Sequence, residues 1–362
     1  MAMVWQKKIA ILGGGGMGTA IAQILADKQY AVKIWCFEPD VASDINTSHR
    51  NEKFLPGSAL KPSITASVNI EEITCDAEVI LFAIPSAFVL GILKQILHLE
   101  NIREGIAKIG ILTKGFVETP KGIMLIVDAM EQYLPGSYKG NLVYLSGPSH
   151  AEEIVRGKLT GLMSASLNGK ESIFFRHLLS GKNLLVFPTL DVTGVQVCAA
   201  LKNVIAIGFG MADALKEEQT VFGNNAESLI LAAGLNEIQR VGIAMGSAYP
   251  ETFTSIAGVG DLDVTCRSPY GRNRRFGREI IQKKIIAGFK NIDDLTGHIG
   301  KIGYLPEGAF AAKYMHQLAE KHKLRLPISE SIYRVLNREA EPRKEVEHLV
   351  RTIAQLSRSR GE

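Results

Sequence analysis

A lysine and an asparagine, Lys202 and Asn203, stand side by side in the middle of an apolar run from Val195 to Ile207. The run is typical of a buried helix, and burying an ammonium group is costly unless it is paired. A desolvated lysine has a lowered pKa, which suits proton transfer near neutral pH. Lys202 is therefore a candidate acid–base group. The alternative is a lysine that extends along a helix edge to solvent.

A second polar stretch, which begins at Gly258, combines acidic residues with a block of arginines. Asp261 and Thr265 are four residues apart, so they share one face if this stretch is helical. The arginines stand in a loop broken by Pro269 and Gly271, where some of them can grip a phosphate dianion by bidentate hydrogen bonds while others are paired or solvated. A nucleic-acid patch is the competing interpretation, but the net charge is only +4 and few aromatic residues are interleaved. The arginines are Arg267, Arg272, Arg274, Arg275 and Arg278.

The N-terminal part of the chain places a strand, a glycine turn and a helix in direct succession. Ile9–Leu12 is apolar and runs into the sequence GGGGMG, in which Gly13, Gly15 and Gly18 fit the spacing G-x-G-x-x-G. The three glycines permit a tight turn, close approach of backbone to a pyrophosphate, and close packing of helix on strand. The helix that follows directs its free N–H groups toward the phosphates. This pattern predicts a bound dinucleotide; the alternative is a flexible turn without a ligand.

The choice of dinucleotide is predicted from the end of the second strand. Glu38 follows the glycine turn by about 20 residues, and an acidic side chain there accepts hydrogen bonds from ribose hydroxyls and repels a 2′-phosphate. No basic residue lies between Trp35 and Asp40, and Phe37 can stack on adenine. The pattern favours NAD over NADP. The alternative is that Glu38 and Pro39 merely start the next helix.

The elements that must position these groups change in type along the chain. Short apolar runs alternate with helical patterns up to about residue 190, which indicates βαβ units and a parallel sheet, and long helical patterns follow. We therefore predict an α/β domain over residues 1–189 and an all-α domain over residues 190–362. The predicted strands are Lys8–Leu12, Ala31–Trp35, Val79–Ile84, Ile109–Thr113, Leu142–Ser146, Gly161–Ser166 and Leu184–Phe187. The predicted helices are Thr19–Lys28, Phe88–Leu97, Val192–Leu215, Glu227–Met245, Glu251–Thr265, Arg274–Ile286, Gly308–Glu320 and Ser329–Asn337.

A second lysine, Lys114, directly follows one of the predicted strands. Parallel sheets bind ligands outside the carboxyl ends of their strands, so Lys114 is placed to reach a cleft. The alternative is a solvated loop lysine.

Bulk composition narrows the class of protein. A chain of 362 residues with 46% hydrophobic and 22% charged residues is typical of a soluble protein of two domains. The four cysteines form no CxxC pair and no histidine has metal-ligand spacing, so we expect free thiols and no metal. The apolar stretch Thr193–Leu215 is interrupted by Lys202, and we expect neither a membrane span nor a signal peptide. A cytoplasmic location is the expectation.

Nine segments, in order along the chain, together resemble one family. They are residues 13–20 (GGGGMGTA), 53–57 (KFLPG), 83–86 (AIPS), 113–115 (TKG), 146–151 (SGPSHA), 199–203 (AALKN), 260–266 (GDLDVTC), 271–277 (GRNRRFG) and 306–308 (PEG). On these segments the sequence resembles NAD(P)-dependent glycerol-3-phosphate dehydrogenase, which interconverts dihydroxyacetone phosphate and sn-glycerol 3-phosphate.

The resemblance implies a Rossmann-type N-terminal domain, an all-α C-terminal domain and a homodimer. It makes Lys202 the proton donor and acceptor, with Asp261 and Thr265 holding the reacting hydroxyl side, and Lys114 touching both cofactor and substrate. The implied substrate-binding residues are Lys114, Gly147, Ser149, Arg272 and Asn273. The implied cofactor-binding residues are Gly13, Gly15, Gly16, Met17, Gly18, Phe37, Glu38, Pro85, Lys114, Ala151, Arg272 and Glu307.

The expected function is reversible reduction of dihydroxyacetone phosphate to sn-glycerol 3-phosphate with NAD(H), with NADP as the alternative cofactor, to supply glycerophospholipid synthesis. The expected partner is a small phosphorylated triose, with no nucleic acid or membrane. One rival is another Rossmann dehydrogenase, acting on a hydroxy acid or ketopantoate, which has no need of so many phosphate donors. The other is a non-catalytic dinucleotide sensor, which needs no buried acid–base group such as Lys202. His150 stands where the family often carries phenylalanine and receives no role.

Overall fold

The computed structural model describes residues 7–218 and 221–349. The chain divides into two units, Met1–Gln196 and Val197–Glu362. The division falls inside a helix that runs from Val192 to Glu217. All strands in the described residues belong to the first unit.

The first unit is built on one large sheet and a hairpin. Its strands are β1 (Lys8–Leu12), β2 (Ala31–Trp35), β3 (Thr65–Ser67), β4 (Val79–Phe82), β5 (Lys108–Ile111), β6 (Phe116–Thr119), β7 (Gly122–Leu125), β8 (Val143–Ser146), β9 (Thr160–Ala165) and β10 (Leu184–Thr189). The order in the large sheet is β10-β9-β8-β5-β4-β1-β2-β3. All neighbours in it are parallel except β8 and β9, which are antiparallel. The predicted α/β fold with a mainly parallel sheet is therefore confirmed.

Burial explains why the strands could be found from the sequence. All four residues of β4 are buried, because helices cover both faces of a parallel sheet and its central strands are apolar throughout. Two kinds of strand were missed. β3 has only three residues, and β6 pairs with β7 in a hairpin that carries the polar residues Glu118 and Thr119. Neither gives a clear apolar run.

The helices of the first unit are mostly short. They are α1 (Gly16–Asp27), α2 (Pro39–Ser48), α3 (Ile70–Thr74), α4 (Val89–Ile96), α5 (Glu100–Arg103), α6 (Ile126–Glu131), α7 (Ala151–Val155) and α8 (Gly169–Leu179). The later helices include α9 (Val192–Glu217), which crosses into the second unit, α10 (Asn224–Ala244), α11 (Glu251–Thr254), α12 (Asp261–Arg267), α13 (Arg272–Lys283), α14 (Ile292–Gly297), α15 (Glu307–His322) and α16 (Pro327–Leu336).

Helix α9 forms the core of the second unit. It is long and apolar enough to cross a membrane by composition, but its most apolar window is entirely buried inside the protein. Glycines in two later helices let those helices pack closely on α9, because a side chain at either position would collide with the backbone of α9. A Cβ at Gly277 of α13 would lie 2.0 Å from the carbonyl oxygen of Ile207, and one at Gly308 of α15 would lie 2.5 Å from that of Asn203. α13 and α15 are thereby held against α9.

The prediction of one helix over Glu251–Thr265 is wrong. The segment consists of α11, a π-helical turn over Ile256–Gly260, and α12. Ser255 has extended backbone angles that interrupt the helix, and its hydroxyl accepts a hydrogen bond from the backbone N–H of Ala257. This local bond competes with helix continuation, as serine side chains commonly do. The π-helical turn leads directly into Asp261, at the start of α12.

Candidate active site

The glycine turn between β1 and α1 is formed by contacts that side chains would prevent. Gly13 has a φ of +128°, and a Cβ there would lie 2.5 Å from the carbonyl oxygen of Ala83. A Cβ at Gly18 would lie 2.0 Å from the carbonyl oxygen of Gly13. At Gly15, by contrast, a Cβ would meet no described atom within 4 Å. The turn is thus packed at its first and third glycines and open at the second, as a pyrophosphate requires.

The N-terminus of α1 presents backbone donors beside this open position. Gly15 is the N-cap residue, and a glycine has no side chain that could cap the helix. The first backbone hydrogen bond of the helix is donated by the N–H of Thr19 to the carbonyl oxygen of Gly15. The N–H groups of Gly16, Met17 and Gly18 precede that bond. Free N–H groups and the positive helix end favour an anion. These residues fit a dinucleotide pyrophosphate, and we call residues Gly13–Gly18 the phosphate loop.

A buried asparagine outside the glycine motif fixes the phosphate loop. The Nδ2 atom of Asn51 donates to the carbonyl oxygen of Gly14 at 2.7 Å and to Oγ1 of Thr19 at 2.8 Å. Its Oδ1 atom accepts from the backbone N–H of Phe54. The sequence analysis missed Asn51, because a polar residue that contacts a loop 37 positions earlier leaves no local pattern. Its place just before the KFLPG segment was the available signal.

The residues predicted to hold the adenosine lie at the end of β2. Glu38 is the N-cap of α2, with Pro39 in the first turn, so both interpretations of this segment are compatible. Phe37 is 79% exposed, which leaves its ring available for stacking. Ala151, at the start of α7, lies close to the phosphate loop, since a Cβ added at Gly16 would lie 3.4 Å from the Cβ of Ala151.

Lys114 lies at the carboxyl edge of the sheet together with other predicted residues. Its Nζ atom donates to the carbonyl oxygen of Gly147 at 3.2 Å, and the hydroxyl of Ser149 donates to the same oxygen at 2.8 Å. The buried hydroxyl of Thr113 donates to the carbonyl oxygen of Ile84, next to Pro85. The segments that follow β4, β5 and β8 are therefore tied together, as the shared direction of these strands predicts.

The lysine of α9 is paired and does not extend to solvent. Lys202 is only 7% exposed and Asp261 only 1%. The Nζ atom of Lys202 donates to Oδ1 of Asp261 at 2.5 Å and to Oγ1 of Thr265 at 2.8 Å. The hydroxyl of Thr265 in turn donates to the carbonyl oxygen of Asp261, one helical turn earlier in α12. We call Lys202, Asp261 and Thr265 the lysine cluster. These three residues were expected to act together, and hydrogen bonds join their side chains in the structure.

The thiol of Cys266, next to Thr265 in the chain, adds no charge to the lysine cluster. Burial raises the pKa of the Cys266 thiol far above its ordinary value, with the nearby Asp263 carboxylate acting in the same direction. The thiol is therefore protonated at physiological pH and inert toward nucleophilic chemistry. Among the described residues, no group of His, Cys, Asp or Glu side chains is arranged to hold a metal ion.

A chain of amides joins α9 to the starts of α13 and α15. Nδ2 of Asn273 donates to Oδ1 of Asn203 at 2.9 Å, and Oδ1 of Asn273 accepts from the backbone N–H of Gly308 at 2.9 Å. The bond to Gly308 joins the start of α13, where Arg272 lies, to the start of α15, where Glu307 lies. The guanidinium of Arg272 lies 3.9 Å from the carboxylate of Glu307.

The arginine block divides into four residues that form close ion pairs and one, Arg272, that has none among the described residues. Arg274 and Arg278 both bind Asp213 of α9, at 2.6 Å in each case. Although burial raises the pKa of Asp213, hydrogen bonds from these two arginines lower it below its ordinary value. Arg267 and Arg275 bind carboxylates one helical turn away, Asp263 and Glu279. Arg272 has a side chain that is 56% exposed, and its one ion contact within the described part of the chain is the distant one to Glu307. Among the described residues, Arg272 is therefore the member of the block whose guanidinium is not engaged by a close carboxylate.

The two halves of the sequence match two family models. Residues 8–172 match the N-terminus of NAD-dependent glycerol-3-phosphate dehydrogenase, and residues 191–347 match its C-terminus. A curated relative from Treponema denticola, glycerol-3-phosphate dehydrogenase [NAD(P)+], is 50% identical over 349 residues, which cover 95% of this chain and 98% of the relative.

Solved structures show the same likeness. The crystal structure of glycerol-3-phosphate dehydrogenase from Coxiella burnetii superposes with a TM-score of 0.82 at 28% identity, covering 95% of this chain and 99% of that one. A ketopantoate reductase from Ralstonia eutropha JMP134 gives a TM-score of 0.51 at 13% identity, with 94% and 99% covered, which is a likeness of fold alone. The chain belongs to the NAD-dependent glycerol-3-phosphate dehydrogenase family.

Proposed function

We propose that this protein reduces dihydroxyacetone phosphate to sn-glycerol 3-phosphate, reversibly, with NAD(H) as the preferred dinucleotide. The observation that carries the proposal is the lysine cluster, since a buried ammonium held by Asp261 and Thr265 is an acid–base group in a family of dehydrogenases. A non-catalytic sensor has no use for such a group. The product would supply glycerophospholipid synthesis.

Each part of the proposed reaction has its own residues. When bound, the reduced nicotinamide supplies a hydride to the substrate carbonyl carbon. Lys202 polarises the carbonyl oxygen and gives its proton to the alkoxide that hydride addition creates, while Asp261 and Thr265 hold its Nζ atom in place. One hydride and one proton are thereby added across the C=O bond. In the reverse direction Lys202 accepts the hydroxyl proton.

Substrate binding is assigned to residues of both predicted domains. We assign the phosphate to the side chain of Arg272 and the first-turn backbone N–H groups of α13, whose N-cap Gly271 has no side-chain capping bond. Asn273, whose backbone N–H belongs to that first turn, and Lys114, Gly147 and Ser149 are the proposed remaining substrate contacts. Anchoring the phosphate fixes the ketone relative to the hydride donor, which lowers the entropic part of the barrier.

The proposed cofactor site consists of the phosphate loop, Phe37 and Glu38 for the adenosine, and a further set of flanking residues. That set is Pro85, Lys114, Ala151, Arg272 and Glu307. We also propose that residues 1–189 form a dinucleotide-binding domain and residues 190–362 a helical substrate-binding domain, that the enzyme is a cytoplasmic homodimer, and that its partner is the phosphorylated triose alone.

The decisive experiment follows nicotinamide absorbance with purified protein and dihydroxyacetone phosphate, with NADH and NADPH in parallel. We expect rapid oxidation of NADH and slower oxidation of NADPH. Ketopantoate and a simple 2-keto acid serve as controls that test the rival dehydrogenase class. Oxidation with those acids and not with the triose phosphate would refute the proposal, and faster oxidation of NADPH would refute the preference for NAD.

A further inference from the structure

A lysine from a later segment lies beside the carboxylate that is proposed to select the dinucleotide. The Nζ atom of Lys53 is 3.9 Å from Oε1 of Glu38 and 3.3 Å from Oδ2 of Asp40. The preference for NAD was predicted because no basic residue lies between Trp35 and Asp40. The fold supplies one from outside that interval, which changes the electrostatics of the ribose end.

The position of Lys53 is fixed by the same contacts that fix the phosphate loop. Asn51, two residues earlier, donates to the carbonyl oxygen of Gly14, and the backbone N–H groups of Phe54 and Leu55 donate back to Asn51. The turn that carries Lys53 is thus docked on the loop that is proposed to receive the pyrophosphate. The backbone of Lys53 is therefore fixed relative to the phosphate loop.

The side chain itself has freedom to change partners. It is 44% exposed, with its ammonium 5.5 Å from the ring of Phe54 and hydrogen-bonded to the exposed Asp40. An exposed ion pair of this kind contributes little free energy, so a phosphate dianion can replace Asp40 as the partner at small cost. A lysine ammonium is a mobile point charge with three donors, which suits a terminal phosphate.

We propose that Lys53 is a specificity-determining residue that offsets the charge of Glu38 and binds the 2′-phosphate of NADP(H), so that the enzyme accepts both dinucleotides. The proposal rests on the proposed function for the place of the adenosine. Glu38 alone would repel a 2′-phosphate. The ammonium of Lys53, 3.9 Å from Oε1 of Glu38 and 3.3 Å from Oδ2 of Asp40, offsets one of these two carboxylate charges and gives the 2′-phosphate a cationic partner.

The experiment compares the Lys53→Met and Lys53→Arg variants with a matched control, Lys61→Met. Lys61 is an exposed lysine of the same unit whose partner is Asp27, at the other end of α1. Binding of adenosine 2′,5′-bisphosphate and of adenosine 5′-monophosphate is measured by calorimetry, so that one readout does not depend on turnover. The KM values for NADPH and NADH are then measured with dihydroxyacetone phosphate.

For Lys53→Met we expect binding of the bisphosphate to weaken and the KM for NADPH to rise, both about tenfold, as loss of one partly screened charge contact predicts. Binding of the monophosphate and the KM for NADH should stay within about twofold of wild type. Lys53→Arg should retain the bisphosphate, and Lys61→Met should change neither ligand.

Two results would overturn the proposal. One is unchanged discrimination between the two nucleotides in Lys53→Met. The other is an equal loss of both nucleotides with a lower melting temperature, which would give Lys53 a structural role only. If dihydroxyacetone phosphate is not a substrate at all, the proposed function fails, but the calorimetric comparison still decides the role of Lys53.

Discussion

The Nζ atom of Lys202 lies 2.5 Å from Oδ1 of Asp261, and both residues are buried. Removing two charges from water costs several kcal/mol each, so such a pair is weak evidence of stability. In the proposed reaction, the pair holds the proton donor at a fixed place with few rotamers open to it. Thr265, with one hydrogen bond from Lys202 and one to the backbone, restricts the arrangement further.

Replacing Lys202 by alanine should reduce turnover by about a hundredfold to ten-thousandfold, because a positioned acid–base group contributes a factor of that size. The dissociation constant for NADH, measured by fluorescence titration, should be nearly unchanged, since Lys202 is assigned no part in holding the dinucleotide. Lys321→Ala, an exposed lysine at the end of α15, is the matched control and should behave as wild type. Turnover that survives in Lys202→Ala would remove the assigned role.

Local pattern carried much of the fold and part of the site. The glycine turn could be predicted because strand, glycines and helix are adjacent in the chain. Lys202 could be identified because the apolar residues on either side of it in the sequence indicate that it is buried. The lysine cluster also required that Asp261 and Thr265 share a helical face, which their spacing indicates.

Contacts between distant segments could not be predicted in this way. Asn51 reaches Gly14 across 37 residues, and Arg274 reaches Asp213 across 61. Neither pair produces a periodic signal in the sequence. The contact of Asn51 with the phosphate loop was therefore missed, and the ion pairs of most of the arginine block could not be assigned. The break at Ser255 was missed for a different reason, because one side-chain to backbone bond outweighs helix propensity there.

A buried carboxyl group predicts a pH dependence of stability. Burial raises the pKa of Glu237 from 4.5 to about 7, although hydrogen bonds from Ser329 and the backbone N–H of Ile328 lower it. The unfolded chain loses this proton near pH 4.5, whereas the folded chain keeps it until about pH 7. The free energy of unfolding should therefore fall by about 3 kcal/mol between these pH values and then level off.

Urea denaturation at pH 5 and pH 8 measures this effect in wild type and in Glu237→Gln. The fall in free energy between the two pH values should be smaller in the variant, which has no carboxyl group to titrate. Glu251→Gln, at an exposed position in α11, should keep the wild-type fall. An identical pH dependence in wild type and Glu237→Gln would show that Glu237 titrates normally.

Alanine substitutions at two glycines of the phosphate loop should affect different properties, NADH binding at Gly15 and folding stability at Gly18. At Gly15 a Cβ meets no described atom and φ is −71°, so Gly15→Ala should fold with a stability within about 1 kcal/mol of wild type. The same Cβ occupies the space that the pyrophosphate needs, so the dissociation constant for NADH should rise at least about tenfold. Gly18→Ala should instead lose about 1–3 kcal/mol of stability, because its Cβ lies 2.0 Å from the carbonyl oxygen of Gly13. Normal NADH binding by Gly15→Ala would mean that the pyrophosphate lies elsewhere.

Two arginines of one helix should likewise separate binding from stability. Arg272→Ala removes an exposed guanidinium that has no close ion pair with any described residue, so the melting temperature of the variant should match wild type. The KM for dihydroxyacetone phosphate should rise about ten- to hundredfold, the effect of losing a charged hydrogen bond to phosphate. Arg278→Ala, which leaves Arg274 as the remaining partner of Asp213, should lower the free energy of unfolding by about 1–2 kcal/mol and leave that KM unchanged. A rise in KM in both variants would mean that the phosphate is held by the field of the whole block, and a rise in neither would place its binding site on other donors.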